Sequence, residues 1–225
     1  MSDPLVRADG IARSYTHGSI RVDAVRAATF AIDQGDAIAI MGPSGSGKST
    51  LLHLVAGLDR PTAGSIAWPL IGDRDALRPG PIGIAFQGPS LIPPLTIVEN
   101  VALPAILAGD TDDEARRAAL DLMDAFGVRE LADRLPEELS GGQSQRVGLA
   151  RAFAGSPRLV LADEPTGQLD ARTGAEVITA SLALARQHGS AFVVATHDPS
   201  VADRLDARWV MRDGTLRREV VSSSA

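Results

Sequence analysis

Four short apolar runs punctuate the chain, and none of them alternates with polar positions. They are Ala37-Ile38-Ala39-Ile40-Met41, the run from Ile82 to Phe86, Leu159-Val160-Leu161-Ala162 and Phe192-Val193-Val194-Ala195. A strand that is apolar at every position has to be covered on both faces. These runs therefore predict a central parallel sheet flanked by helices, an α/β fold. The N-terminal third reads differently. Leu5 to Arg13, Arg21 to Val25 and Ala28 to Ile32 are shorter, half-exposed strands, and Asp33-Gln34-Gly35 is a turn. Near the other end, Trp209 to Leu216 reads as a hairpin turning at Asp213-Gly214.

The stretch from about Pro89 to Leu139 carries no such runs. Thr111-Asp112-Asp113-Glu114 starts a helix, with its acids at the positive end of the helix dipole. Leu120, Met123 and Phe126 follow at three-residue intervals, with Leu122 beside them, and form a core-facing stripe. One domain over 1–225 is expected. Its core is 1–87 and 157–225, a helical subdomain is inserted over 88–156, and 221–225 is a flexible tail.

Composition narrows the function classes. The 225 residues are 44% hydrophobic and 22% charged, which argues against disorder. The chain has no cysteine, which excludes a disulfide scaffold, a Cys-ligated zinc, an iron–sulfur cluster and a thiol nucleophile. Its formal charge of −6 disfavours coating a nucleic acid, so no nucleic-acid partner is expected. No apolar run approaches the roughly 18–20 residues that span a bilayer. Met1-Ser2-Asp3-Pro4 does not open a signal peptide. The expected location is cytoplasmic, with any membrane contact made through a partner.

The chemistry begins after the first apolar run. Gly42-Pro43-Ser44-Gly45-Ser46-Gly47-Lys48-Ser49-Thr50 fits G-x-x-x-x-G-K-[ST], between a strand and the apolar helical stretch Leu51 to Val55. The glycines let the backbone curl so that successive N–H groups face phosphate oxygens. Lys48 then bridges the β- and γ-phosphates, and the Ser49 hydroxyl ligates Mg²⁺. The run Leu159 to Ala162 delivers Asp163 and Glu164 to its C-terminal end, where ligands bind in open α/β sheets. Adjacent strand residues point to opposite sides, which gives the two acids separate tasks. Asp163 suits the Mg²⁺ shell, and Glu164 suits an attacking water as general base. Leu139-Ser140-Gly141-Gly142-Gln143 precedes a good helix. Ser140 is its N-cap, and the Gly141 and Gly142 N–H groups form a second anion site.

With these motifs in this order, the chain resembles the nucleotide-binding subunits of ATP-binding-cassette (ABC) transporters over nearly its whole length. The resemblance implies that ATP and Mg²⁺ are bound and ATP is hydrolysed. It matches Gln87 to the family's lid glutamine, which joins the metal and the catalytic group. It matches His197 to the switch histidine, a hydrogen-bonder to the γ-phosphate or to Glu164. Asp170 lies in the loop beyond the acid pair, and Tyr15, placed in a polar turn from Ser14 to Gly18, stands where the family stacks an aromatic on adenine. His17, His53 and His188 match no such position and read as structural or surface residues, and Trp68 and Trp209 read as packing. In the family two subunits pair head to tail. Ser140, Gly141, Gly142 and Gln143 of one then cap the nucleotide held by Lys48 of the other.

Asp163-Glu164-Pro165-Thr166-Gly167-Gln168-Leu169-Asp170, Glu99-Asn100-Val101-Ala102-Leu103-Pro104 and Thr196-His197-Asp198-Pro199 are similar to one branch of the family. That branch holds lipoprotein-releasing, macrolide- and peptide-exporting and cell-division ATPases. It implies a partner permease with four transmembrane helices, and a place on the cytoplasmic face of the membrane. The chain departs from the branch between Gly64 and Gln87, where it is shorter. Ala67 to Gly72 stands where a fuller strand and helix pair is expected. A soluble ABC ATPase of the repair or translation type is the alternative. It would need a coiled-coil insertion or two cassettes, and this chain has neither. The apolar residues Leu91, Ile92 and Leu95, in a Pro- and Gly-rich segment after Gln87, leave two readings open: they cover the helical subdomain's own core, or part of the segment lines a groove for a short permease helix.

Overall fold

The computed structural model describes residues 3–88 and 90–219. The expected tail at 221–225 lies outside the described residues, as does Pro89. In chain order the elements are β1 (Val6–His17), β2 (Ile20–Ile32), β3 (Ala37–Met41), α1 (Lys48–Val55), β4 (Ala63–Ala67), β5 (Ile82–Ala85), α2 (Ile97–Ala108), α3 (Asp112–Ala125), α4 (Gly141–Phe153), β6 (Leu159–Asp163), α5 (Ala171–His188), β7 (Ala191–Thr196), α6 (Pro199–Ala202), β8 (Ala207–Arg212) and β9 (Thr215–Glu219).

The four apolar runs become β5, β6, β7 and β3, successive neighbours in a six-stranded sheet ordered β5-β6-β7-β3-β8-β9, with β5 at its edge. Its pairings are parallel except for the terminal hairpin β8–β9, which turns at Asp213-Gly214 as expected. Each inner strand divides its side chains between two buried clusters. Ile38, Ile40, Leu159, Leu161, Val193 and Ala195 join α1, β1 and β2 on one face. Ala39, Val160, Ala162, Phe192 and Val194 join α2 to α5 on the other. This is why the runs show no alternation: both faces are core.

The second sheet is antiparallel, with order β2-β1-β4. The two short strands expected within 21–32 are one strand, β2. Its register on β1 shifts where Ala27 takes φ +42, a bulge that bends the strand without ending it. The turn expected at Ser14 to Gly18 is also revised. Strand β1 continues through His17, and the turn is only Gly18-Ser19.

The shortened stretch after Gly64 is filled compactly. Trp68 is buried and its indole Nε1 donates to the Val55 carbonyl at 2.8 Å, closing over the end of α1. One 3₁₀ turn, Arg74–Leu77, then buries Leu77. An indole and a leucine here replace the cover that a further strand and helix would give.

Helices α2, α3 and α4 each begin on a capping box, built by Thr96 with Glu99, Thr111 with Glu114 and Ser140 with Gln143. Met123 and Phe126 face inward from α3 and its end, as their spacing predicts. The helical stretch is not sealed off from the sheet. Its buried cluster runs on into the sheet, and α4 lies so close to β5 that a Cβ on Gly83 would sit 1.7 Å from the Ala152 carbonyl.

The segment leading into α2 is held by one fully buried amide. Asn100 Oδ1 accepts from the Ile92 N–H at 2.7 Å. Its Nδ2 lies within 3.1 Å of the Ile92, Leu95 and Thr96 carbonyls. Asn100→Ala would leave several of these buried groups unpaired, a loss of about 2–4 kcal/mol. A urea midpoint equal to that of the unaltered chain would refute this assignment.

Candidate active site

The phosphate loop is the turn from β3 into α1. Gly45 and Gly47 carry it through φ +78 and +104. A Cβ on Gly47 would lie 2.0 Å from the Ala24 carbonyl, and one on Gly42 would lie 2.2 Å from the Met211 carbonyl. The loop is therefore wedged between β2 and the C-terminal hairpin, and only glycine fits at these two contacts. Gly47 caps α1 without a side-chain bond, which leaves the first-turn N–H groups free for an anion.

Lys48 is only 6% exposed. Its Nζ donates to the carbonyls of Gly42 at 2.8 Å and Pro43 at 3.3 Å, and stands 3.4 Å from Glu164 Oε1. A lysine is seldom this buried without a paired charge, and Glu164 supplies it. Asp163 closes β6 in register with the residues that face α1. Burial raises its carboxyl above the usual range, the Ser49 hydroxyl pulls it back, and the Glu164 charge pushes it up again.

Glu164 does not follow the strand alternation read from the sequence. It takes φ +47, with its N–H donating to the Ala195 carbonyl at 2.8 Å. The left-handed turn swings its carboxylate to the top of the sheet. There it meets Lys48 on one side and the Nδ1 of His197, 2.9 Å from Oε2, on the other. Glu164 lines the cavity that opens over the loop, and its charge acts on the Asp163 carboxyl beside it.

Among the described residues, no group of three or more His, Cys, Asp and Glu could hold a metal ion. The donor set is smaller. Asp163 Oδ1 is buried without a hydrogen-bond partner, as is Ser46 Oγ, and the Ser49 hydroxyl acts on the same Asp163 carboxylate. One carboxylate and one hydroxyl suit a Mg²⁺ that brings its other ligands as water and nucleotide phosphate. The site fits Mg²⁺ on those terms.

A cavity of about 620 Å³ opens over the loop, walled by Ser44, Gly45, Gly47, Lys48, Ser49, Thr50, Gln87 and Glu164. Gly42 and Pro43 touch it through Lys48, and His197 through Glu164. Other expected residues lie away from it. The Tyr15 hydroxyl donates to Asp59 at 2.7 Å, and the Arg13 guanidinium lies 4.6 Å from its ring centroid. Burial works to raise the Asp59 carboxyl, but hydrogen bonds from Tyr15, Arg60 and Arg13 hold it below the usual range. Tyr15 pairs across the sheet with Val22, which does line the cavity. Asp170 caps α5, accepting from the Arg172 and Thr173 N–H groups. Ser140, Gly141, Gly142 and Gln143 line no part of the cavity. Gly141 and Gly142 pack instead against Gln168 and Leu169.

Arg21, Val22, Asp23, Ala24 and Arg26 of β2 form a wall that sequence reasoning missed, together with Asp213 and Gly214. Gly214 is bonded to the loop itself, its N–H donating to the Ser46 carbonyl at 3.1 Å. A turn signal marked Asp213-Gly214, but nothing local linked it to the phosphate loop. His53, read as a structural or surface residue, lies near enough to Asp163 to act electrostatically on its carboxyl, in the lowering direction.

A second concavity of about 460 Å³ lies where β5 meets α2 and α4. Leu58, Phe86 and Leu107 are exposed along it, Leu107 by 61%. Among the described residues, the charged ones that line it are Arg78 and Arg151. Burial lowers both guanidinium pKa values, and Arg151 donates to the Ser90 carbonyl and hydroxyl at 2.7 and 2.6 Å. Leu91, Ile92 and Leu95 do not line this groove. Leu91 packs instead against the helical core, and the Ile92 backbone is clamped by Asn100.

A parallel sheet with a phosphate loop at its carboxyl edge, two acids beside it and an insertion ending in a capped glycine pair defines a nucleotide-hydrolysing cassette. The chain belongs to the ABC transporter family, whose model matches residues 25–167. It is an ATP-binding and ATP-hydrolysing subunit of that family. Lipoprotein-releasing system ATP-binding protein LolD of Legionella pneumophila, strain Paris, is 40% identical over 223 residues, covering 96% of this chain and 98% of the relative. Two solved structures of MJ0796 are similar. The dimeric form, a bacterial ABC transporter cassette, has a TM-score of 0.90 at 35% identity, covering 97% of this chain and 99% of that one. Its dimeric post-hydrolysis state bound to ADP and Pi has a TM-score of 0.89 at the same identity and coverage. No helix among the described residues is long and apolar enough to cross a membrane.

Proposed function

We propose that two copies of this chain close head to tail on two ATP molecules and thereby drive a membrane permease that moves a lipid-anchored or related export substrate. The observation that carries the dimer is a separation. Ser140, Gly141, Gly142 and Gln143 form an anion-binding helix start that stands off the chain's own cavity. A second copy supplies the phosphate for it. The dimeric MJ0796 structures support the pairing, and the likeness to LolD supports the substrate class.

Within each site the backbone of residues 42–47 and Lys48 hold the β- and γ-phosphates. The Ser49 hydroxyl and the Asp163 carboxylate, together with Gln87, would hold Mg²⁺. Mg²⁺, when bound, neutralises charge that develops on the phosphates. Glu164 accepts the proton of the attacking water. His197 donates to Glu164 and fixes its direction, so the base is oriented before the nucleotide arrives. Thr50 completes the surroundings, and Tyr15, paired across the sheet with Val22 of the cavity wall, takes the adenine.

The permease sits in the apolar groove. With Leu58, Phe86 and Leu107 exposed and only arginines for charge, the groove suits a short amphipathic helix carrying a carboxylate. The permease of this branch has four transmembrane helices, which keeps the subunit at the cytoplasmic face of the membrane. In the complete complex, ATPase activity should depend on Mg²⁺ and rise with the cognate permease. Leu107→Asp should abolish the rise and weaken co-purification by about tenfold or more, with ATP affinity unchanged. Undiminished stimulation in that variant would place the permease elsewhere.

A further inference from the structure

Gln145 lies in the first turns of α4, outside the cavity. Its side-chain amide bridges two backbone groups of the loop that follows β6. Nε2 donates to the Glu164 carbonyl at 3.1 Å, and Oε1 accepts from the Gln168 N–H at 2.9 Å. A carbonyl only accepts and an N–H only donates, so the amide has one possible orientation. Glu164 is a non-glycine residue at φ +47, a conformation that persists only where its surroundings over-determine it. Three bonds do so. The Glu164 N–H donates to Ala195, and its carbonyl accepts from Gly167 at 3.1 Å and from Gln145. Only the last of these comes from α4. The same loop touches the start of that helix. Gln168 Oε1 sits 1.8 Å from where a Cβ on Gly141 would be, and Leu169 Cδ2 sits 2.9 Å from the equivalent point on Gly142.

We infer that Gln145 is a positioning residue, tying the direction of the Glu164 carboxylate to the place of α4 in the same chain. The inference rests on the proposed roles of Glu164 as base and of Ser140 to Gln143 as the cap on the other copy's nucleotide. On that reading the two ends of the bridge serve different ATP molecules. Glu164 faces the nucleotide on its own loop, and the helix start faces the partner's. Closure over one nucleotide then sets the base at the other. Misplacement of a reacting group by about an ångström reduces rate by about 10²-fold, so a single hydrogen bond here has leverage.

Two variants of the full chain test the bridge. Gln145→Met keeps the length and helix preference of the side chain and removes both hydrogen bonds. Gln145→Glu keeps an acceptor for the Gln168 N–H but turns an acceptor toward the Glu164 carbonyl. In both, kcat for MgATP should fall about tenfold or more, with KM unchanged within about twofold. In a Glu164→Gln background, Gln145→Met should still form the ATP-dependent dimer by light scattering. A wild-type kcat in Gln145→Met overturns the inference. So does a kcat loss matched by loss of the dimer, because Gln145 would then be a structural part of the interface. Glu164→Gln alone is the control: if it turns over normally, the assignment of the base falls first, and the bridge with it.

Discussion

Glu164→Gln should bind ATP and scarcely hydrolyse it, with turnover reduced about 10²–10⁴-fold, or about 3–5 kcal/mol of added barrier. The substitution keeps the size of the side chain. Its amide oxygen can still accept from His197, and Lys48 keeps its bonds to the Gly42 and Pro43 carbonyls. The site keeps these bonds and loses the group that takes the proton, together with the charge paired to Lys48. Because product is not made, the closed pair should accumulate with ATP and dissolve with ADP. Size-exclusion light scattering reads both states. A protein that remains monomeric at saturating ATP, with and without the permease, would sink the head-to-tail model. Normal turnover would remove Glu164 from the mechanism.

The second large effect is expected at Lys48. Charge-assisted hydrogen bonds are worth about 1.5–3 kcal/mol each. A lysine bridging two phosphates makes at least two, so Lys48→Ala should weaken ATP binding about 10²–10³-fold or more. A titration with fluorescent nucleotide measures this directly. The variant has a side effect that the geometry separates. Glu164, only 9% exposed, loses the ammonium 3.4 Å away. Lys48→Ala should therefore melt at a lower temperature, and adding Glu164→Gln should restore the melting temperature without restoring binding. A Lys48→Ala protein that hydrolyses ATP at the normal rate with its permease would refute the loop's role.

Much of this was legible in the residues. The unalternating runs gave both the strands and the fact that both sheet faces are buried, because a run such as Leu159 to Ala162 has no polar position to expose. The phosphate loop was readable because its spacing and its strand–helix setting are local. So were the cap at Ser140 and the acidic helix start at Thr111 to Glu114. What sequence reading missed was set by contacts between distant segments. Glu164 departs from strand alternation by taking φ +47, and its carbonyl is held there by the Gly167 N–H and by Gln145 of α4, a residue distant in sequence. The wall from Arg21 to Arg26 reaches the cavity only because Gly47 and Gly214 let β2, the hairpin and the loop pack closely. Leu91 looked exposed because its segment is rich in proline. Asn100, eight residues beyond Ile92, folds that segment back onto the helices.

The composition of the cavity wall bears on the design of inhibitors. The end that meets the phosphates is prescribed by the nucleotide itself, and a compound that mimics a triphosphate there would be read by any protein with the same loop. The opposite side is made of Arg21, Val22, Arg26 and Asp213, which no phosphate-binding pattern demands. A small molecule that keeps a modest anion for Lys48 and takes most of its contacts from this side chain set would draw selectivity from the part of the pocket peculiar to this fold's β2 and hairpin.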